Sequence, residues 1–208
     1  MIESAPFLIA GLIFGLAAGI SPGPLLTLVI SETIRQNKKA GIMVATAPLL
    51  TDLPIIFVSV FILAKLSSSH LILGTISVFG ALFIGRLAYE CITLKSVELN
   101  LQTAETQSLR RGVIINFLSP HPYLFWMVVG APTLLKAYAM SLLSAFVFIF
   151  SFYLFLVGSK ILIAFIVDKS KTFLKSTAYV YTIRLLGFVL LLYAALFLKD
   201  GMKYFGLI

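Results

Sequence analysis

The sequence predicts an all-α membrane protein of six transmembrane helices, arranged as two inverted three-helix repeats, with helices 1 and 4 broken at S-P-x-P motifs. Three observations carry this reading. Of 208 residues, 60% are strongly apolar and only 12% are charged, whereas a soluble chain is about 45–50% apolar and about 25% charged. The apolar residues fall into stretches long enough to cross roughly 30 Å of hydrocarbon, for which a helix needs about 20 residues. A short proline motif recurs at the same place in each half of the chain. A soluble domain of this size has too little interior to hide so much apolar surface. The single cysteine, Cys91, excludes a disulfide scaffold.

The first stretch, Pro6 to Ile34, begins almost at Met1 without a basic n-region or an A-x-A site, so it is expected to be a retained helix rather than a signal peptide. It carries Gly11, Gly15, Gly19 and Gly23 at four-residue spacing, one helical stripe on which another backbone can pack closely. Gly11, Gly15 and Gly19 are the helix-packing candidates. They could pack within a protomer or between two, so a homodimer stays open. At Ser21-Pro22-Gly23-Pro24 each proline removes a donor and costs about 3 kcal/mol in a regular helix, which predicts a break.

The second stretch, Ala40 to Ala64, contains Asp52 between Pro48 and Pro54. By helical rise Asp52 lies roughly 18 Å deep, where a carboxylate costs at least about 2.5–3.5 kcal/mol. It must face the bundle interior, as a binder of substrate amine, a carrier of a coupling proton, or a structural partner of a buried cation. The third, Leu71 to Leu94, holds Arg86 and Glu90 at ion-pair spacing; Arg86 is also a candidate partner for Asp52. The polar segment from Lys95 to Arg111 then separates residues 1–94, the first repeat, from residues 112–208, the second.

The fourth stretch, Gly112 to Leu135, repeats the motif as Ser119-Pro120-His121-Pro122, 98 residues after the first copy. Three helices per half is an odd number, so the second half enters the membrane the opposite way up, the signature of an inverted-topology repeat. Asn116, Ser119, His121 and Tyr123 add polar groups there. The fifth and sixth stretches are Ala139 to Val167 and Tyr179 to Leu198. Their Lys160 and Arg184 lie within snorkelling reach of one face.

Net charge is +8, which in a soluble protein would suggest nucleic acid. Here the basic residues sit between apolar runs and read as topology signals. With both termini outside, the inner loops hold nine of them (Arg35, Lys38, Lys39; Lys95, Arg110, Arg111; Lys169, Lys171, Lys175) against four outside (Lys65, Lys136, Lys199, Lys203). The positive-inside rule therefore favours both termini outside and a cytoplasmic segment 95–111.

Broken backbone at membrane depth survives only where it is buried in protein or lines a cavity. Two breaks facing each other would form one. The substrate-binding candidates are Ser21, Pro22, Gly23, Pro24, Asp52, Asn116, Ser119, Pro120, His121 and Tyr123, with exposed amides at the two motifs expected to hold a carboxylate. Two histidines and one cysteine make no metal-ligand cluster, no P-loop is present, and no cofactor is implied. An intramembrane hydrolase using Ser21 or Ser119 with His121 is disfavoured, because Pro22 removes the amide that would serve as oxyanion donor and no G-x-S-x-G exists. A non-transporting interaction subunit remains a third reading.

The run Gly15-x-x-x-Gly19-x-Ser21-Pro22-Gly23-Pro24 resembles the G-x-x-x-G-x-S-P-G-P signature of the LysE (RhtB-like) family of amino-acid exporters. The resemblance extends over the chain: its length, its six apolar stretches, the polar segment after the third, and Asp52. The family's second motif, commonly N-P-K, stands here as Ser119-Pro120-His121. The resemblance implies secondary active export of amino acids or similar small solutes across a bacterial or archaeal cytoplasmic membrane. A metal-cation exporter of the same superfamily is the alternative.

Overall fold

The structure, a computed structural model, describes residues 4–21, 23–66, 70–93, 107–169 and 177–207. Pro22 and most of segment 95–111 lie outside the described residues. The elements in chain order are α1 (Ala5–Ile20), α2 (Pro24–Arg35), α3 (Lys38–Ala45), α4 (Ala47–Leu66), α5 (His70–Ile92), α6 (Ser108–Leu118), α7 (Pro120–Phe125), a π-helical turn (Trp126–Gly130), α8 (Ala131–Met140), α9 (Leu142–Lys169) and α10 (Thr177–Tyr204). No strand occurs among the described residues. Among the described residues five segments are long and apolar enough to cross a membrane, and the count is six when α1 and α2, bent by 59° at the break between them, are taken as one span.

Prolines decide where these helices stop. Ser21 is extended at φ −60° and ψ 134°, Gly23 at φ −158° and ψ 176°, and Pro24 opens α2. Thr46 separates α3 from α4 because Pro48 has no amide to give the carbonyl of Val44. The fourth crossing differs from expectation. The apolar helix runs His121–Met140 instead of Gly112 to Leu135, and α6 begins at Ser108, inside the segment expected to be loop. The cause is polar: Ser108 and Arg111 in the first turn of α6 both bond to Glu32 of α2, at 2.6 and 2.7 Å. The π turn was likewise not expected. Pro132 lacks the amide for a regular bond to Val128 and its ring would clash there, so Ala131 donates instead to Trp126 in a wider turn.

Packing inverts the distribution familiar from water-soluble proteins. Phe57, Phe61, Leu82, Phe146 and Leu192 face outward, while Ser59, Ser77, Ser144, Ser151, Asn116 and Asp52 are buried. Lipid solvates the first group, and the second finds partners only inside the bundle. The main core gathers Phe14, Phe125, Trp126, Phe148 and Phe152 between α1, the fourth crossing and α9. A smaller cluster around Val29, Val44, Ala47 and Ala164 joins α2, α3, α4 and α9.

The glycine stripe of α1 lies against α9 of the same chain. A Cβ on Gly11 would meet Ser151 Oγ and the Phe148 carbonyl, one on Gly15 would lie 2.4 Å from the Phe152 carbonyl, and one on Gly19 would meet Ser159 Oγ. These glycines are thus engaged within the protomer. At one end of the bundle Glu32, fully buried, pairs with Arg111 and accepts from Ser108 and Gln36. It ties α2 to α6, and Lys38 pairs with Asp168 at the same end.

Two stability predictions follow from this packing. Gly15→Ala forces two backbones apart and should lower stability by about 1–3 kcal/mol, whereas Gly23→Ala, whose Cβ meets nothing within 4 Å, should leave the thermal midpoint in detergent unchanged. Glu32→Ala removes the shared acceptor of Arg111, Ser108 and Gln36, and should cost about 1–3 kcal/mol, short of a fully buried pair because the arginine side chain keeps 30% of its exposure. Thermal unfolding of the three variants against the unaltered chain checks each expectation.

Candidate functional site

Both helix breaks, α4 and α9 converge on one cavity of about 130 Å³. Its walls include Ser21, Gly23 and Pro24 from the first break, Ser119, His121 and Pro122 from the second, and Asn116, Asp52, Glu90, Trp126 and Lys160. Seven of the ten substrate-binding candidates are therefore brought together. Pro22 lies outside the described residues, as does the side chain of Pro120, whose backbone opens α7. Tyr123 does not line the cavity: it is 39% exposed, and its hydroxyl donates to the Phe117 carbonyl at 2.8 Å, because the helix restarted by Pro120 turns it to the outer side.

Asp52 is 3% exposed and held by neutral donors. Its Oδ1 accepts from Asn116 Nδ2 at 3.0 Å and lies 3.2 Å from Thr51 Oγ1, and its Oδ2 accepts from Trp126 Nε1 at 3.2 Å. Asn116 also donates to Thr51 Oγ1 at 2.6 Å. These partners come from three elements, α4, α6 and the π turn. Trp126 reaches the carboxylate because Gly130 leaves room for its indole; a Cβ there would sit 2.4 Å from Cε3. Tyr153, whose ring stacks 6.3 Å from that of Trp126, brings a buried hydroxyl to the same region.

Arg86 is not the partner of Asp52. It pairs with Glu90 at 3.0 Å with its side chain largely exposed, because the one-turn spacing favours the local carboxylate over one across the bundle. Glu90 thereby presents a carboxylate to the cavity rim. Ser21 Oγ lies 3.4 Å from the buried Cys91 Sγ, which links the first break to α5.

The expectation for exposed amides is overturned for the two serines. Ser21 N bonds to the Ala17 carbonyl and Ser119 N to the Ile115 carbonyl, both at 3.0 Å. An extended residue that caps a helix still closes the last turn, so its amide is used. What the first break frees is carbonyls, and these are taken by Lys160. Its Nζ donates to Ala18 O at 2.8 Å and to Gly19 O at 2.9 Å. Lys160 is 3% exposed and does not snorkel to a surface; the two carbonyls offer it a nearer partner than the headgroups.

Sequence reasoning missed Lys160, Trp126 and Thr51 as site residues. A signal for the first was available, since Pro22, four residues after Ala18, deprives that carbonyl of its amide and asks for an external donor. Nothing in the order of residues pointed to Trp126, whose direction depends on the π turn.

The arrangement is a largely apolar chamber whose walls also carry an aspartate, a glutamate, a lysine and a histidine, with a helix break on two sides. Such a chamber suits the binding of a small polar or charged solute at membrane depth. No curated protein and no solved structure matches the chain. A family model described as LysE type translocator matches residues 16–201, which takes in both breaks and every charged wall residue of the cavity. This multi-pass membrane chain therefore belongs to the LysE type translocator family, a family of transporters.

Proposed function

We propose that this chain is a secondary active exporter of small amine-bearing solutes, amino acids foremost, across the cytoplasmic membrane of a bacterium or archaeon. The observation that carries the reading is the meeting of Asp52 and Lys160 with both helix breaks around one cavity. Family membership supports transport as such. Asp52, whose hydrogen bonds come from neutral donors, favours a substrate carrying an ammonium group, and its grip by Asn116 and Trp126 preorganises it to receive one. With no nucleotide-binding loop in the chain, exchange against protons supplies the driving force, and Asp52 is the group that alternates between substrate amine and proton.

The two halves work as an inverted repeat, residues 1–94 and 112–208, joined by a cytoplasmic segment 95–111, with both termini outside. Several features support this. Ser21 and Ser119 have nearly the same backbone conformation, φ −60° and ψ 134° against φ −75° and ψ 133°, and each ends a helix before a proline. The packing is also exchanged between halves: α1 lies on α9 as the fourth crossing lies on α4, while α5 and α10 pair with each other. Such a framework suits rocking of one half against the other about the central cavity. The Glu32–Arg111 pair, joining α2 to α6 on the basic and hence cytoplasmic side, would have to open in each cycle.

Counterflow in proteoliposomes with a panel of labelled amino acids and divalent metals tests the substrate class; uptake of metals alone would favour the cation-exporter alternative. Asp52→Asn should abolish counterflow while insertion and folding persist, and undiminished transport by that variant would remove the proposed role. Trp126→Phe keeps the ring and deletes only the Nε1 donor, so it should lower counterflow by roughly 5–30-fold, the equivalent of about 1–2 kcal/mol.

A further inference from the structure

Among the carbonyls that the first break leaves without their usual donors are those of Ala18 and Gly19. In a continuous helix the carbonyl of Ala18 takes the amide of residue 22 and that of Gly19 the amide of residue 23. Residue 22 is a proline, which has no amide hydrogen. Gly23 is extended and caps α2. In hydrocarbon an unpaired carbonyl costs several kcal/mol, so something must replace those donors. Lys160 does, with Nζ 2.8 Å from Ala18 O and 2.9 Å from Gly19 O.

Three properties distinguish this lysine from an ordinary buried ion pair. No carboxylate pairs with it among the described residues. The negative charge it touches directly is the C-terminal end of α1, where unsatisfied carbonyls amount to about half a negative charge. An ammonium also carries three donors, and the carbonyls use two; the third has no acceptor among the described residues. Converging carbonyls at the end of an interrupted helix are how membrane transporters coordinate alkali cations or protons. Here the cation is attached to the protein by the lysine stem.

From this geometry we propose that the α1 break is a monovalent-cation site whose permanent occupant is the Lys160 ammonium, so that transport needs no alkali-metal ion. The ammonium both fills the carbonyl lone pairs and repels a second cation. Lys160 thus acts as a positioning residue: it fixes the carbonyl end of α1 and with it the angle at which Ser21, Gly23 and Pro24 meet the cavity. The claim about transport rests on the exporter reading above; the claim about the site does not.

The test pairs melting of purified protein with counterflow, each in Na⁺, methylammonium or choline chloride at equal ionic strength. The unaltered chain should melt and transport alike in all three. Lys160→Ala, which empties the site, should lose about tenfold or more of its counterflow, as expected when buried acceptors are left unpaired. It should melt lower in choline and recover partly in Na⁺ or methylammonium, which are small enough to enter, while Lys160→Arg should keep the unaltered chain's indifference to cations. If Lys160→Ala cannot be purified, Lys160→Met, which keeps the stem without the charge, is compared with Lys160→Arg; melting equal to the unaltered chain overturns the site. A Lys160→Ala protein that behaves like the unaltered chain, or one whose losses no small cation relieves, also overturns it. An unaltered chain that stops transporting in choline overturns metal independence. If the unaltered chain moves no solute, the exporter reading fails and the melting comparison still decides the site.

Discussion

Inside a bilayer a helix cannot be interrupted without finding new partners for the backbone groups it releases. This constraint governs the centre of the structure. Pro22 and Pro24 interrupt the first crossing, and the carbonyls of Ala18 and Gly19 are satisfied by a lysine brought in from α9. That lysine requires α9 to lie close to α1, which the glycine stripe permits. Proline, glycine and lysine on two helices are thus three parts of one solution.

The second centre is solved differently. Asp52 is compensated by a neutral amide, an indole and a hydroxyl instead of a cation. Its donors come from both halves of the chain, so the carboxylate draws α4, α6 and the π turn together. A buried carboxylate hydrogen-bonded only by neutral donors can take a cationic ligand arriving in the cavity without breaking a direct ion pair. Lys160, by contrast, is already matched to the end of a helix. The two buried charges are therefore not equivalent, although both line one chamber.

Much of this was legible in the residues. Apolar stretches of about 20 residues revealed the crossings, and Pro22-Gly23-Pro24 revealed the break, because both effects are local and large. Asp52 could be assigned to the interior from its depth alone. Tertiary terms defeated the same reasoning elsewhere. The fourth crossing shifted toward its C-terminal side because Glu32, 76 residues away from Ser108, holds the start of α6. Arg86 is a local exception: it pairs with Glu90, as the one-turn spacing predicts, and not with Asp52. Lys160 looked like a snorkelling residue because its depth was visible and the free carbonyls opposite were not. Trp126 looked like packing, for its direction depends on where the helix widens around Pro132.

Gly19 shows how closely shape and charge are joined here. Its missing side chain is what admits Ser159 Oγ, and its own carbonyl, a few ångströms away, accepts from Lys160 on the next residue of α9. Any side chain at position 19 would lever the two helices apart and carry the carbonyl away from the ammonium. A substitution that looks purely steric would therefore also switch off an electrostatic contact. At this position bulk and charge cannot be varied separately by changing the residue.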